Sequence, residues 1–151
     1  AELLRLALTD DEAIAARASW LLGRGDPVGR LEALRQVAVG AIHADARLQA
    51  MQALRRHGDT DAFGAAVHGL DDDDRRVRTV AVQLLARLRR PAAIEPLLAL
   101  IDTRARGADT AATDVQAALL TLADLGASQH LLRAATSIHD GDAVGTGTAL
   151  A

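Results

Sequence analysis

The feature that most restricts what this chain can fold into is a pattern of paired amphipathic helices that returns at roughly repeat-array spacing. It is clearest in the segment DDDDRRVRTVAVQLLARLRRPAAIEPLLALID, which begins at Asp71. Val77, Val80, Ala81, Leu84, Leu85 and Leu88 fall at i, i+3, i+4, i+7, i+8 and i+11, one apolar stripe of a helix. Asp71 to Asp74 place carboxylates at its positive N-terminal end, and Arg87, Arg89 and Arg90 stand at its negative end. Pro91 stops this first helix and suits the opening turn of a second, where a missing N–H costs nothing. Ile94, Leu97, Leu98 and Ile101 give the second helix its own stripe, and Asp102 restarts the cycle.

The same grammar is present on both sides. Upstream, Leu48, Met51 and Leu54 mark a first helix, Gly58 a break, and Phe63, Ala66, Val67 and Leu70 a second helix. Before that, Ile14, Ala18, Leu21 and Leu22 are the expected stripe of a first helix, and Leu31, Leu34 and Val37 that of a second, with Gly25-Asp26-Pro27 between them. Leu21, Leu54 and Leu85 take equivalent places at spacings of roughly 31 to 33 residues. Downstream, Val115, Ala118, Leu119 and Leu122 pair with Leu131, Leu132, Ala135 and Ile138, after a segment TRARGADTA read as a surface insertion. Glu2 to Leu8 has the form of a second helix without its first, and AVGTGTALA that of a further hairpin being entered. The expected organisation is one repeat domain over 1–151, with approximate units 1–9, 10–39, 40–70, 71–101, 102–139 and 140–151, the outer two partial. The outer units show no polar caps, so the array is expected to continue in a longer protein or to associate end to end.

Composition agrees with close-packed helices. Hydrophobic residues make up 50% of the chain but aromatics only 1%, so the core must be aliphatic, which does not suit a β-sandwich. The formal charge of −3 and the lack of aromatic platforms argue against a nucleic-acid partner. There is no cysteine, which excludes disulfides, thiolate metal sites and cysteine nucleophiles. No apolar run is long enough for a membrane span and no signal peptide is visible, so a cytoplasmic location is expected. Basic side chains other than histidine are all arginine and asparagine is absent, a bias that suggests a GC-rich bacterial genome.

The run from Asp71 to Asp102, with its DDDDRRVRTVAVQLLARL first helix and PAAIEPLLALID second helix, resembles a HEAT repeat, specifically the short PBS-lyase-like subtype. The other three hairpins resemble it less closely. The resemblance implies an all-α, right-handed α-α superhelix of the HEAT or armadillo kind, about four hairpins long with partial ends. It also implies a ladder between neighbouring repeats, made by an Asp near the start of the first helix and an Arg after a Val within it. These map to Asp72 or Asp74 and to Arg78, with Arg47 at the corresponding place one repeat earlier. The first and fourth hairpins depart, with Ile14 and Gln116 near that place. The family is more often a scaffold for protein contacts than an enzyme, although it includes tetrapyrrole lyases, a DNA glycosylase and a di-iron hydroxylase. The His-Glu pairs of the hydroxylase do not occur in this chain.

Candidate sites are few. None of His43, His57, His68, His130 and His139 pairs with another at i+3 or i+4, so no metal and no cofactor is expected. Asp71 to Asp74 lack the glycine and closing glutamate of a calcium loop and read as helix caps, and Asp140 and Asp142 read as a turn. Gly145 and Gly147 lack the preceding strand of a phosphate loop, and Ser19, Ser128 and Ser137 lack the context of a nucleophile. Trp20 is expected to pack. Stacking the hairpins should align Arg24, Arg55, Arg56, Arg87, Arg89 and Arg90 along one edge, with Asp10, Asp11, Asp45 and Asp71 to Asp74 along the other. Dipole compensation alone produces such polarity, and docking of an acidic protein segment or a phosphorylated or nucleotide ligand is the functional reading. The second helices supply a mixed wall with Arg35, His68, Glu95 and Arg133. The expected function is a non-enzymatic protein-interaction scaffold, the repeat region of a larger bacterial protein. The alternative is a tetrapyrrole-binding or other small-molecule-binding lyase or regulatory domain on the same superhelix.

Overall fold

A computed structural model of the protein describes residues 1–24, 29–107, 112–127, 129–132, 134–136 and 138–139. These residues are helices and turns, and no strand occurs among them. Their contacts divide the chain into two compact units, Ala1–Leu88 and Arg89–Ala151. The architecture is all-α and built from helical repeats.

The first unit contains α1 (Glu2–Ala7), α2 (Glu12–Arg24), α3 (Leu31–Gly40), α4 (Ala44–His57), α5 (Phe63–Gly69) and α6 (Arg75–Leu88). A single 3-10 turn, Thr60–Ala62, leads into α5. The long helices α2, α4 and α6 pack successively on one another, while α1 lies on α2, α3 on α4 and α5 on α6. This is the alternation that the sequence pattern predicts. The core of the unit is aliphatic, with Leu34, Met51, Leu54, Leu84 and Leu85 fully buried. Gly58 ends α4 in the left-handed conformation at φ 66°, which glycine adopts without a Cβ penalty.

The stripe expected for α2 is corrected. Ile14 and Leu21 are 44% and 40% exposed, whereas Ala15, Ala18, Ser19, Leu22 and Gly23 are buried. The helix therefore turns a face of small residues toward its neighbour. The reason is the closeness of α4: a Cβ on Gly23 would lie 2.7 Å from the Cβ of Ala53. Close approach makes alanine and glycine good interface residues although they weigh little in a hydropathy pattern.

Arg47 and Arg78 tie the inter-repeat loops. Each is the fourth residue of its helix, α4 and α6 respectively. Nη1 of Arg47 donates to the carbonyls of Ala41 and Ile42 at 3.0 and 2.7 Å, and Nη1 of Arg78 donates to those of Asp72 and Asp73 at 2.9 and 3.0 Å. The remaining nitrogens of Arg47 grip Asp72 at 2.6 and 2.8 Å in a bidentate pair. Asp72 also accepts the backbone N–H of Asp74. Asp74 belongs to a second rung, in which Arg76 bridges Asp74 and Asp45, each at 2.8 Å.

The hydrogen bond and charge of Arg76 hold the Asp74 carboxyl at about 2, below the ordinary carboxylate value of 3.8. Because the folded value is the depressed one, this contribution to stability is complete above about pH 4 and is lost as the pH falls through about 2. Asp74→Asn keeps a side chain that can accept from the N–H of Arg76 but removes the charge. Thermal melts should therefore find the parent more stable than the variant at neutral pH, with the two converging near pH 2. A constant gap across that range would mean that charge at Asp74 is immaterial.

The second unit contains a 3-10 turn, Pro91–Ala93, then α7 (Ile94–Arg106) and α8 (Thr113–Asp124), which packs on α7. Residues 129–132, 134–136 and 138–139 are also helical. Pro91 opens the turn at its first position, as its fixed φ favours. Two expectations are corrected here. Thr103 to Arg106 continue α7 instead of beginning an insertion, because Ala105 extends the stripe of Leu97 and Ile101 and is buried. Gly107 caps the helix, and 108–111 of that segment lie outside the described residues. In the last helical stretch Leu132 is 76% exposed and Ala135 is exposed, while Ala127 and Ala134 are buried. Of the expected stripe, Leu131 and Ile138 are half-buried, while Leu132 and Ala135 give way to Ala134.

Candidate functional site: an arginine edge and a second-helix wall

The ends of α2, α4 and α6 bring Arg24, Arg55, Arg56 and Arg87 to one edge of the first unit. Two glycines order them. A guanidinium nitrogen of Arg56 lies 3.2 Å from where a Cβ of Gly23 would stand, and one of Arg87 lies 3.3 Å from that of Gly58. Each arginine thus rests against the end of the preceding long helix, where the partial charge is negative. His57 assists by directing Nε2 at the carbonyl of Gly23, 3.0 Å away. Facing a carbonyl, that nitrogen must carry the proton.

No carboxylate pairs with Arg24, Arg55, Arg56 or Arg87 among the described residues, in contrast with Arg5, Arg35, Arg47 and Arg76. Arg55 is half-buried, and its Nε has no hydrogen-bond acceptor among the described residues. Arg24 lies over the ring of Trp20 at 4.6 Å, and Arg17 lies over the same ring at 4.5 Å. Trp20 is therefore half-exposed between two cations, not simply packed. Arg17 is not among the residues that the apolar pattern singles out, although its place three residues before Trp20, with Arg24 four after, is a recognisable helical signal.

Arg89 and Arg90 belong to the second unit. Arg89 adopts φ 51° and donates through Nη2 to the carbonyl of Asp124 at 3.2 Å, so its guanidinium closes the end of α8. Arg90 precedes the Pro91 turn.

On the second-helix wall of the first unit, Arg35 is engaged from two sides. It bonds Asp59 at 2.6 Å and Glu32 at 2.8 Å, and the hydrogen bond from Gln36, followed by that from Arg35, draws the Glu32 carboxyl below its usual range. Two grooves of about 490 and 500 Å³ meet at Glu32 and Gln36, the first reaching Val39 and Ala65 and the second reaching Leu4 and Arg30. His68 is exposed on α5 and Glu95 is exposed on α7. Arg133 lies outside the described residues, as do Ser128, Ser137, Asp140, Asp142, Gly145 and Gly147.

The remaining candidate chemistry has structural work. The hydroxyl of Ser19 is buried and donates to the carbonyl of Ala15 at 2.8 Å. His43 meets the carbonyl of Asp10 at 2.7 Å. No cluster of three His, Asp or Glu side chains able to hold a metal ion occurs among the described residues, and no helix among them is long and apolar enough to cross a membrane.

The family profile for HEAT repeats matches residues 31–117, more than half of the chain. The chain belongs to the HEAT-repeat family. No curated protein and no solved structure matches it.

Proposed function

We propose that this chain is a non-enzymatic scaffold for protein contacts, and that the arginine edge of its first unit docks an acidic segment of a partner. HEAT repeats are generally protein-interaction scaffolds, which supports the class of function. One observation supports the site. Arg35, Arg47 and Arg76, which reach from one repeat to the next, are paired with carboxylates, whereas Arg24, Arg55, Arg56 and Arg87 have no carboxylate partner among the described residues. Helix dipoles account for their placement, and the guanidinium fork suits bidentate capture of carboxylates. The closer assignment to the PBS-lyase-like subtype rests on the Asp71 to Asp102 pattern, and a bacterial, cytoplasmic setting rests on composition.

A fluorescein-labelled glutamate-rich peptide tests the edge by anisotropy. The double variant Arg56→Glu with Arg87→Glu should weaken its binding tenfold or more, most strongly at low ionic strength, while circular dichroism shows the helices still folded at the assay temperature. Equal binding by parent and variant would remove the edge from the account. A small-molecule lyase reading would instead require a ligand to copurify with the chain and report by its absorbance.

A further inference from the structure

We infer that the acidic segment taken by the arginine edge is extended in the polyproline II conformation, with a carboxylate at every third residue. The inference rests on the edge docking an acidic segment, and it adds the shape and spacing of that segment. Arg24, Arg56 and Arg87 are each the thirteenth residue of their helices, α2, α4 and α6. All three are exposed. The three helices pack successively within one unit. Residues in equivalent register therefore form a row whose step is set by the distance between packed helices, about 8 to 10 Å.

Each member of the row is held in place by the chain itself. Arg24 lies over the ring of Trp20 at 4.6 Å. Guanidinium nitrogens of Arg56 and Arg87 lie 3.2 and 3.3 Å from where Cβ atoms of Gly23 and Gly58 would stand, each against the end of the preceding long helix. Glu32 and Asp59, at the starts of the second-helix stretches that follow α2 and α4, are engaged by Arg35 instead. Cations fixed in position lose little freedom on meeting carboxylates, so the row favours a partner whose charges already recur at the same step.

That step discriminates between backbones. In polyproline II three residues make one turn and advance about 9.3 Å, so residues i, i+3 and i+6 share a face and fit the row. A β-strand repeats like-facing side chains at about 6.6 or 13 Å, one too short and the other too long. On an α-helix the matching pair is i and i+7, about 10.5 Å apart, and the excess accumulates over three arginines. The closeness of α2 and α4, where a Cβ on Gly23 would stand 2.7 Å from that of Ala53, keeps the first step from widening toward that value. Prolines between the carboxylates would preset the conformation and lower the cost of ordering the segment.

Three capped peptides, each with three glutamates and no tryptophan, test the spacing. The first places glutamate at every third residue with prolines between. The second has the same composition with its glutamates contiguous. The third is an alanine-rich helix of about 18 residues with its glutamates seven apart. Trp20, the single tryptophan of the chain, stacks on Arg24, so its emission reports occupancy of the first arginine. The first peptide should bind saturably and tenfold or more tighter than either of the others. Exchanging its central glutamate for glutamine should weaken binding several-fold to the parent but little to Arg56→Gln, since both changes remove one contact. Circular dichroism should show that variant folded. Equal affinity for the contiguous peptide, or a preference for the helix, would overturn the inference. If the Arg56→Glu with Arg87→Glu variant then lost that binding, the edge would remain an acidic docking site for a segment of another shape. No saturable binding of any of the three up to about 5 mM at low ionic strength would overturn both readings.

Discussion

Replacing Arg47 by alanine should destabilise the first unit by about 2 to 4 kcal/mol, the loss that follows from leaving a mostly buried charge without its partner. The Arg47 and Asp72 side chains are only 15% and 5% exposed, so water cannot replace the lost pair well. The substitution also strips the carbonyls of Ala41 and Ile42 of a shared donor. Lysine should rescue little, because an ammonium cannot offer the fork that meets both oxygens of Asp72 while a third nitrogen serves the loop. Adding Asp72→Ala to Arg47→Ala should cost less than the sum of the two single changes, the signature of a coupled pair. Urea unfolding followed by circular dichroism measures all of these, and a midpoint unmoved by Arg47→Ala would strip the pair of its importance.

Leu54→Ala should cost about 3 kcal/mol, whereas Leu21→Ala should cost less than about 1 kcal/mol. Sequence spacing treats these leucines as equivalents. The structure separates them, with Leu54 fully buried and Leu21 40% exposed. In the first case a cavity opens within α4 and the helices packed on it; in the second the side chain already meets solvent. Comparable losses at both sites would place Leu21 in the core.

The contrast shows what was legible in the sequence. The stripe of α6 is readable because its other face is charged, with Arg75, Arg76, Gln83 and Arg87 exposed around the buried Val77, Ala81 and Leu84. In α2 the apolar residues nearly encircle the helix, so periodicity admits two faces, and the one buried is rich in Ala15, Ala18, Ser19 and Gly23. Residues of low hydropathy are the ones that permit close helix contact, so the tightest interface gives the weakest signal. The carbonyl-binding roles of Arg47 and Arg78 were equally hidden, because a hydrogen bond to a loop backbone leaves no mark on the residue types of that loop. The line of arginines at helix ends was visible as a pattern, but only contacts distinguish Arg89, spent on the Asp124 carbonyl, from Arg56, which rests beside Gly23.

The clamps formed by Arg47 and Arg78 recur after a step of 31 residues, and so do the carbonyls they hold, from Ala41 and Ile42 to Asp72 and Asp73. Each such block brings along the side chain that fastens its own leading loop. A copying event that respects this period within 41–78 would carry its loop clamp with it, so a cassette of this kind could be added without any new residue being invented to hold its leading loop.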